Sequence, residues 1–278
     1  MNYEIVIADP AKNITLFVLT PVLQTERARV GKLLMADPAL KAEQAGFVLP
    51  PSQGAPLLGG VTLRRASPLW RLEMMGGEFC GNAARSFGLY VARRTGLSGQ
   101  VFLDVEISGA RTPVKVLVDV ERGLAEASMP PALEESILRY EKAVLPVYFL
   151  EGIVHVIAGD IEVSEGVFYA IKALLEKRFQ EAARCDAVGV MFYDSAAQIM
   201  TPAVYVRATD TLVFESSCGS GSAVLGLYLA RNLSRGETIL ALRQPGGIIE
   251  VRVEKQPGAA AAVSIGGPVT LSEAVWRP

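Results

Sequence analysis

Cys80-Gly81-Asn82-Ala83-Ala84-Arg85-Ser86-Phe87-Gly88-Leu89-Tyr90-Val91-Ala92-Arg93 returns later in the chain as Cys218-Gly219-Ser220-Gly221-Ser222-Ala223-Val224-Leu225-Gly226-Leu227-Tyr228-Leu229-Ala230-Arg231. The cysteines, the glycines after them, the Gly-Leu-Tyr cores, the alanines and the arginines superpose at one offset, 218 minus 80 or 138 positions, almost half of the 278 residues. A repeat of this kind reads as two related halves. Each half presents one thiol at the start of a strongly apolar helix. Strands are expected before and after that helix in both halves, so the economical packing is α+β: two pseudo-symmetric domains, each a mixed or antiparallel sheet curled around a central helix.

Working outward, Tyr3 to Ala8 and Leu16 to Leu19 read as a hairpin around the Pro10-Ala11-Lys12-Asn13 turn. Leu23, Val30, Leu33 and Leu34 suit a first helix closed by Asp37-Pro38. Strands follow at Gly46 to Leu49, Val61 to Arg64, Leu69 to Met74, Val101 to Ile107 and Val114 to Val118, with a loop from Gly54 to Gly60. Glu121-Arg122-Gly123 and Met129-Pro130-Pro131 interrupt the pattern and mark a boundary, giving an N-terminal half over 1–124 and a C-terminal half over 125–266, with 267–278 returning to the first. The second half has strands at Val144 to Phe149, Val154 to Ala158, Ala187 to Phe192 and Ala203 to Arg207, and a helix from Glu165 to about Ala183.

The composition narrows the partners. A formal charge of -2 with no Lys/Arg-rich block leaves no electrostatic footprint for nucleic acid, so a small-molecule partner is expected. Three cysteines cannot close a disulfide framework, and Met1-Asn2-Tyr3-Glu4 does not begin a secretory leader, which points to a reduced, cytoplasmic protein. The longest apolar run, Ala223 to Ala230, is far too short to cross a bilayer, and no membrane association is expected.

A Gly-x pair opening a helix aims N–H donors at a bound group, and the helix dipole favours negative charge there. A cysteine in front of it lies in the same field, which lowers a thiol pKa. Each phrase therefore offers a base and a carboxylate cradle, made by Gly81 and Asn82 in one half and Gly219 and Ser220 in the other. Inversion of a carbon that carries a hydrogen needs a base on one face and an acid on the other, and two thiols, Cys80 and Cys218, meet that need without metal or cofactor. Cys185 lacks this context and reads as packing. Glu78 and Glu215, two and three positions before a cysteine, either tune the thiol, meet a substrate ammonium or hold the turn. The single histidine, His155, lies on an apolar strand and reads as a core residue; with three dispersed cysteines it makes no zinc ligand set. Tyr90 and Tyr228, ten residues past each cysteine, read as packing.

At these residues the chain resembles the diaminopimelate epimerase superfamily, the cofactor-independent racemases that use two cysteines. Gly77-Glu78-Phe79-Cys80-Gly81-Asn82-Ala83-Ala84-Arg85 resembles its first active-site motif and Glu215-Ser216-Ser217-Cys218-Gly219-Ser220-Gly221 its second. Asn13, Glu43-Gln44, Pro245-Gly246-Gly247 and Gly267-Pro268 are weaker matches, of which Asn13 and Gln44 become candidate substrate contacts by that resemblance. Phenazine-biosynthesis-like relatives lack the paired cysteines, and proline racemases place Gly-His after the first, whereas Asn82 is similar to the branch acting on primary amino acids. The resemblance implies inversion at the α-carbon of a free amino acid, no cofactor and, as is common in such enzymes, a homodimer.

The departures bear on the substrate. An isoleucine, Ile153, stands where diaminopimelate epimerases have an asparagine before Pro-His; a second asparagine is replaced within Val188-Gly189-Val190-Met191; and Thr209-Asp210 occupies the place of a Glu-Arg pair, for which Arg207 would substitute only with a shifted loop. The wording of the two cysteine motifs is more similar to the histidine racemases of opine-type metallophore pathways. A histidine racemase-type enzyme therefore ranks first and diaminopimelate epimerase second. A redox-sensitive ligand-binding protein of the same fold is the alternative from another class.

Overall fold

A computed structural model describes residues 2–49, 51, 69–207 and 210–278. The loop expected from Gly54 to Gly60, the strand at Val61 to Arg64, and Thr209 lie outside them. The chain is α+β and divides into two compact units, one made of residues 1–9, 14–125 and 269–278, the other of 10–13 and 126–268.

In the first unit, β1 (Tyr3–Asp9) pairs antiparallel with β2 (Thr15–Val18). After α1 (Arg27–Met35), β3 (Gln44–Leu49) runs parallel to β2. β4 (Arg71–Met74) is antiparallel to β3 and leads into α2 (Gly81–Arg94). β5 (Gln100–Ile107) joins β4 in parallel, and β6 (Val114–Asp119) closes on β5 antiparallel. The sheet is thus mixed. Its period-2 alternation decides which residues meet which helix. Ile5, Leu16, Val18, Ala45 and Phe47 pack with Val30 and Leu34 of α1. Phe17, between Leu16 and Val18, turns the opposite way and meets Phe87 and Tyr90 of α2 edge-on at 5.7 and 5.8 Å. By the same alternation Gln44 lies on the α2 side of β3. The α1 face is narrower than expected, because Leu23 and Leu33 are exposed.

β7 (Leu124–Ser128), between Glu121-Arg122-Gly123 and Met129-Pro130-Pro131, carries the chain from the first unit into the second. In the second unit β8 (Glu134–Tyr140), β9 (Ala143–Phe149) and β10 (Ile153–Gly159) form an antiparallel meander. α3 (Glu165–Arg178) then crosses over to β11 (Ala187–Asp194), which is parallel to β10 and needs such a crossover. α3 stops five residues before the expected end because Phe179 is extended (φ -127°, ψ 110°). β12 (Ile199–Val206) and β13 (Thr211–Phe214) continue antiparallel. After α4 (Gly219–Leu229), β14 (Gly236–Gln244), β15 (Gly247–Lys255) and β16 (Ala262–Pro268) form a second antiparallel run. β17 (Thr270–Leu271) and β18 (Val275–Arg277) return to pair with β1.

Here too both sheet faces are covered, which explains why β10 and β11 read as unbroken apolar runs. Val154, Val156, Val188 and Val190 pack with Phe168, Ile171 and Leu175 of α3. The intervening residues, His155, Gly189 and Met191, face the other way, where α4 packs on β10 and β11. The helices that follow the two cysteines are buried nearly all round: Gly81 to Ala92 without a break in α2, and Gly219 and Gly221 to Gly226 in α4. Each is a core element flanked by strands, and α1 and α3 cover the remaining sheet faces.

The repeated glycine of each phrase has a packing role. A Cβ on Gly88 would lie 2.5 Å from Val116 Cγ1 and 2.8 Å from Val116 Cβ; a Cβ on Gly226 would lie 2.5 Å from Val251 Cγ1. Alanine improves helix propensity by about 1 kcal/mol over glycine. Overlap with a stiff β-branched neighbour costs about 1–3 kcal/mol. Overlap wins, so Gly88→Ala and Gly226→Ala are each expected to lower the unfolding free energy by about 1 kcal/mol in urea denaturation, where an exposed helical glycine would gain.

Candidate active site

Both repeated cysteines are helix N-caps. Cys80 (φ -129°, ψ 115°) accepts at Sγ from the Ala83 N–H at 3.4 Å. Cys218 (φ -122°, ψ 116°) accepts from the Gly221 N–H at 3.4 Å. Each thiol thus occupies the place where a serine or aspartate oxygen usually satisfies the third amide of a helix, within the positive end of the helix dipole.

In the first unit, Ser108 sets up the approach to Cys80. Its Oγ accepts from the Met74 N–H at 2.8 Å and donates to the Glu78 carbonyl at 3.0 Å, tying the end of β4 to the residues before the thiol. Gly109 (φ +73°) lets the backbone pass directly under Phe79, a place no side chain could occupy. Gln44 Nε2 donates to Cys80 Sγ at 3.2 Å. Asn82 is fully buried, and its Oδ1 accepts from Arg85 Nε at 3.1 Å, so the side-chain oxygen is turned to the protein. Glu78 is exposed as a residue, but its carboxylate curls over Gly76. Burial of the carboxyl raises its pKa, opposed by the N–H groups of Glu78 and Gly76. That geometry is that of a turn holder.

In the second unit, Cys218 is buried and its surroundings differ. The Cys218 N–H donates to Gln244 Oε1 at 2.8 Å, and Gln244 Nε2 donates to Ser222 Oγ at 2.9 Å. Ser222 Oγ in turn donates to the Cys218 carbonyl at 2.6 Å. In the sequence only its place before Pro245-Gly246-Gly247 marks Gln244. Those glycines matter as well. Gly246 N–H donates to Ser216 O at 2.7 Å, and a Cβ there would strike Lys12 Cβ at 2.9 Å and Ser216 Cβ at 3.0 Å. The 10–13 loop, with Ala11 and Lys12 both at positive φ and Asn13 buried, is thereby packed against the chain that leads to Cys218.

The Cys218 thiol departs from the lowered pKa expected at a helix start. Burial pushes it well above the ordinary thiol value, and the hydrogen-bonded Glu215 carboxylate raises it further; the Gly221 N–H and Ser220 oppose these effects without overcoming them. Desolvation of an anion outweighs the dipole here. Arg207 is occupied: its guanidinium binds Glu176, the Ala182 carbonyl and the Cys185 carbonyl.

His155 is part of the Cys218 surroundings and not merely core filling. It is fully buried; Nε2 lies 2.9 Å from Ser220 Oγ, which lies 3.7 Å from Cys218 Sγ. Nδ1 has no hydrogen-bond partner among the described residues. A buried orphan N–H is costlier than a bare ring nitrogen, so the proton belongs on Nε2, which donates to Ser220 and leaves the hydroxyl proton directed at Cys218. The sequence alone does not mark this role, which depends on the register that sets His155 opposite Gly189 in β10 and β11.

Desolvation lowers the His155 pKa to about 3. The unfolded chain takes up this proton near pH 6.5 and the native state does not, so the associated stability is complete above 6.5 and is lost as pH falls. Between pH 6.5 and 5 the unfolding free energy is expected to drop by about 2 kcal/mol from this one group. The raised Glu78 carboxyl has the opposite sign, gaining stability as it protonates, and reduces the slope. His155→Gln should abolish the histidine contribution; an unchanged slope in that variant would contradict it.

The three cysteines are all free thiols. Among the described residues no group of three or more His, Cys, Asp or Glu is placed to hold a metal ion, and no helix is long and apolar enough to cross a membrane.

Residues 3–274 match the family described as "Histidine racemase CntK N-terminal domain". A histidine racemase of Fusobacterium nucleatum subsp. nucleatum is 31% identical over 274 residues, covering 95% of this chain and 91% of its own. A histidine racemase of Staphylococcus aureus is 27% identical over 270 residues, covering 94% and 92%. In fold, the chain is similar to a PhzF-family phenazine biosynthesis protein of Bacillus anthracis (TM-score 0.66, 14% identity, 100% of this chain and 99% of that one). It is also similar to a hydroxyproline epimerase of Agrobacterium vitis (TM-score 0.63, 11% identity, 99% and 92%). With a family match over nearly its whole length and a relative above 30% identity, the chain belongs to the histidine racemase family and is an isomerase of the racemase and epimerase class.

Proposed function

We propose that the protein racemises a free amino acid, histidine before all others, by cofactor-independent proton transfer between two thiols, Cys80 and Cys218, acting on opposite faces of the α-carbon. The observation that carries this reading is the shared cap geometry: each thiol sits over the first turn of a buried helix with an N–H of that turn on its sulfur. In one direction a thiolate takes the α-hydrogen as a proton and becomes a thiol, the electron pair remaining on the substrate as a carbanion. The second thiol then delivers its proton to the opposite face and becomes the thiolate, so one pass leaves the proton distribution reversed. The first-turn amides of Gly81, Asn82, Gly219 and Ser220, which helix geometry leaves outside the intrahelical ladder, are the proposed donors to the substrate carboxylate as charge moves onto it. Asn13, Gln44 and Glu215 complete the proposed contacts, Glu215 as the partner of a substrate ammonium. We further propose that the two units are related halves, each supplying one thiol.

Histidine is favoured by the family match and by the commitment of Arg207 to Glu176, which leaves the distal amino-acid end of diaminopimelate without its guanidinium. The test is incubation of the reduced protein in heavy water with a panel of L-amino acids that includes histidine and diaminopimelate. α-Deuterium and D-isomer should accumulate with histidine. Exchange with diaminopimelate alone would reverse the ranking, and no exchange with any amino acid, together with differential ligand binding by oxidised and reduced protein, would replace the racemase by a redox-sensitive binder.

A further inference from the structure

We propose that the resting enzyme carries the thiolate on Cys80 and the proton on Cys218, and that Arg85, buried behind the first turn of α2, is the positioning residue that holds this distribution. The inference rests on the two-thiol reading above and assigns the resting state of each thiol.

The two sulfurs receive different hydrogen bonds. Each sulfur takes an N–H of its own first turn at 3.4 Å, but Cys80 Sγ adds the Gln44 amide at 3.2 Å where Cys218 Sγ has the longer Ser220 hydroxyl contact at 3.7 Å, and closer donors favour an anion. Cys218 Sγ has the Glu215 carboxylate as a hydrogen-bonded neighbour, and a carboxylate accepts the proton of a thiol but repels a thiolate. The solvent difference runs the same way, since Cys80 is part-exposed and Cys218 is buried.

Arg85 adds a full positive charge to one side only. Among the described residues it is the largest fully buried side chain, with no solvent-exposed surface, on the fifth residue after Cys80. A helical side chain leans toward the N-terminus, and Arg85 does so: its Nε reaches back one turn to Asn82 Oδ1 at 3.1 Å, at the end of the helix that Cys80 caps. Desolvation lowers its pKa only to about 10, with Cys80 and then Asp9 holding it charged, so it is a cation at neutral pH. A buried guanidinium is costly unless anions meet it, and those that hold Arg85 charged are Cys80 first and Asp9 second. It is well used where an anion forms at the same helix end. The charged or titratable groups to weigh against it are Asp9, at the end of β1, which also helps to hold the guanidinium charged, and Glu78, whose carboxyl is raised toward its neutral form.

The thiols can be titrated separately by thiolate absorbance near 240 nm in full-length Cys185→Ser/Cys218→Ser and Cys80→Ser/Cys185→Ser proteins. Cys80 should titrate at lower pH than Cys218. Arg85→Met should move the Cys80 titration up by at least about one pH unit, a tenfold loss of thiolate below both midpoints, with Arg85→Lys restoring most of it and Cys218 unmoved by either. Cys218 titrating below Cys80, or a Cys80 titration indifferent to Arg85→Met in a protein with native circular dichroism, overturns the inference. If Arg85→Met does not fold, Asp9→Asn serves: removing the carboxylate that competes with Cys80 for the guanidinium's charge should move Cys80 down, and no movement overturns the proposal. The readout is independent of turnover, so racemisation with the wrong thiol order defeats this inference alone, and the right order without racemisation defeats the proposed function alone.

Discussion

Cys80→Ser and Cys218→Ser are each expected to lower kcat/KM for racemisation by about 10³-fold or more, the scale of a lost general acid or base. A serine hydroxyl is a far weaker base than a thiolate and a far weaker acid than a thiol, so neither variant completes both halves of the transfer. The two losses should differ in kind. Cys218→Ser keeps the sulfur assigned as the resting thiolate, so the isomer that presents its α-hydrogen to Cys80 should still exchange with solvent deuterium while its antipode is barely formed. Cys80→Ser keeps only the buried thiol beside Glu215, whose raised pKa leaves little thiolate at neutral pH, and exchange should be slow with both isomers. The measurement is α-deuterium incorporation followed by NMR from each pure enantiomer. Racemisation undiminished in either variant would remove that cysteine from the chemistry.

The doubled phrase made the two cysteine-led helices legible, because a thiol, a glycine and an apolar helical run are all local features. Strand positions near them were legible for the same reason. What stayed hidden depends on register. Gln44 could be read as a candidate, but its donation to Cys80 follows from the alternation of β3, which places it on the α2 side. Gln244 is marked only by its place before Pro245-Gly246-Gly247 and acquires its role because β14 ends where its amide meets the Cys218 N–H. The helix-start expectation of a lowered thiol pKa failed at Cys218 because burial and a nearby carboxylate are tertiary effects, and in a dry site desolvation exceeds the dipole. β8, β13 and β14 are not legible as strands in part because several of their outward positions are exposed, which hides the apolar alternation.

Gly189→Ala tests the buried histidine from its neighbour. Gly189 stands directly opposite His155 in the parallel pairing of β10 and β11, and the imidazole lies over its bare Cα. An added Cβ would come within 2.7 Å of His155 Cε1, closer still to Nδ1, and within 3.0 Å of Met191 Cε. His155 has no exposed surface, so the ring has no solvent into which to retreat. Overpacking of this kind costs about 1–3 kcal/mol. Moving the ring also breaks its 2.9 Å bond to Ser220 Oγ, and a stranded buried polar group costs about 1–3 kcal/mol more. A total of about 2–6 kcal/mol exceeds the cost expected at Gly88 or Gly226, where a valine methyl and not a hydrogen-bonded ring is displaced. Racemisation should fall with stability, since Ser220, 3.7 Å from Cys218, loses the partner that orients its hydroxyl. The discriminating measurement is a double-mutant cycle in urea with His155→Ala. With the ring removed only the flexible end of Met191 remains near the new methyl, so Gly189→Ala should cost less in that background and the coupling should reach about 1–3 kcal/mol. Additive effects would mean that the glycine is required for some reason other than the imidazole, and the His155–Ser220 contact would then lose its place in the support of Cys218.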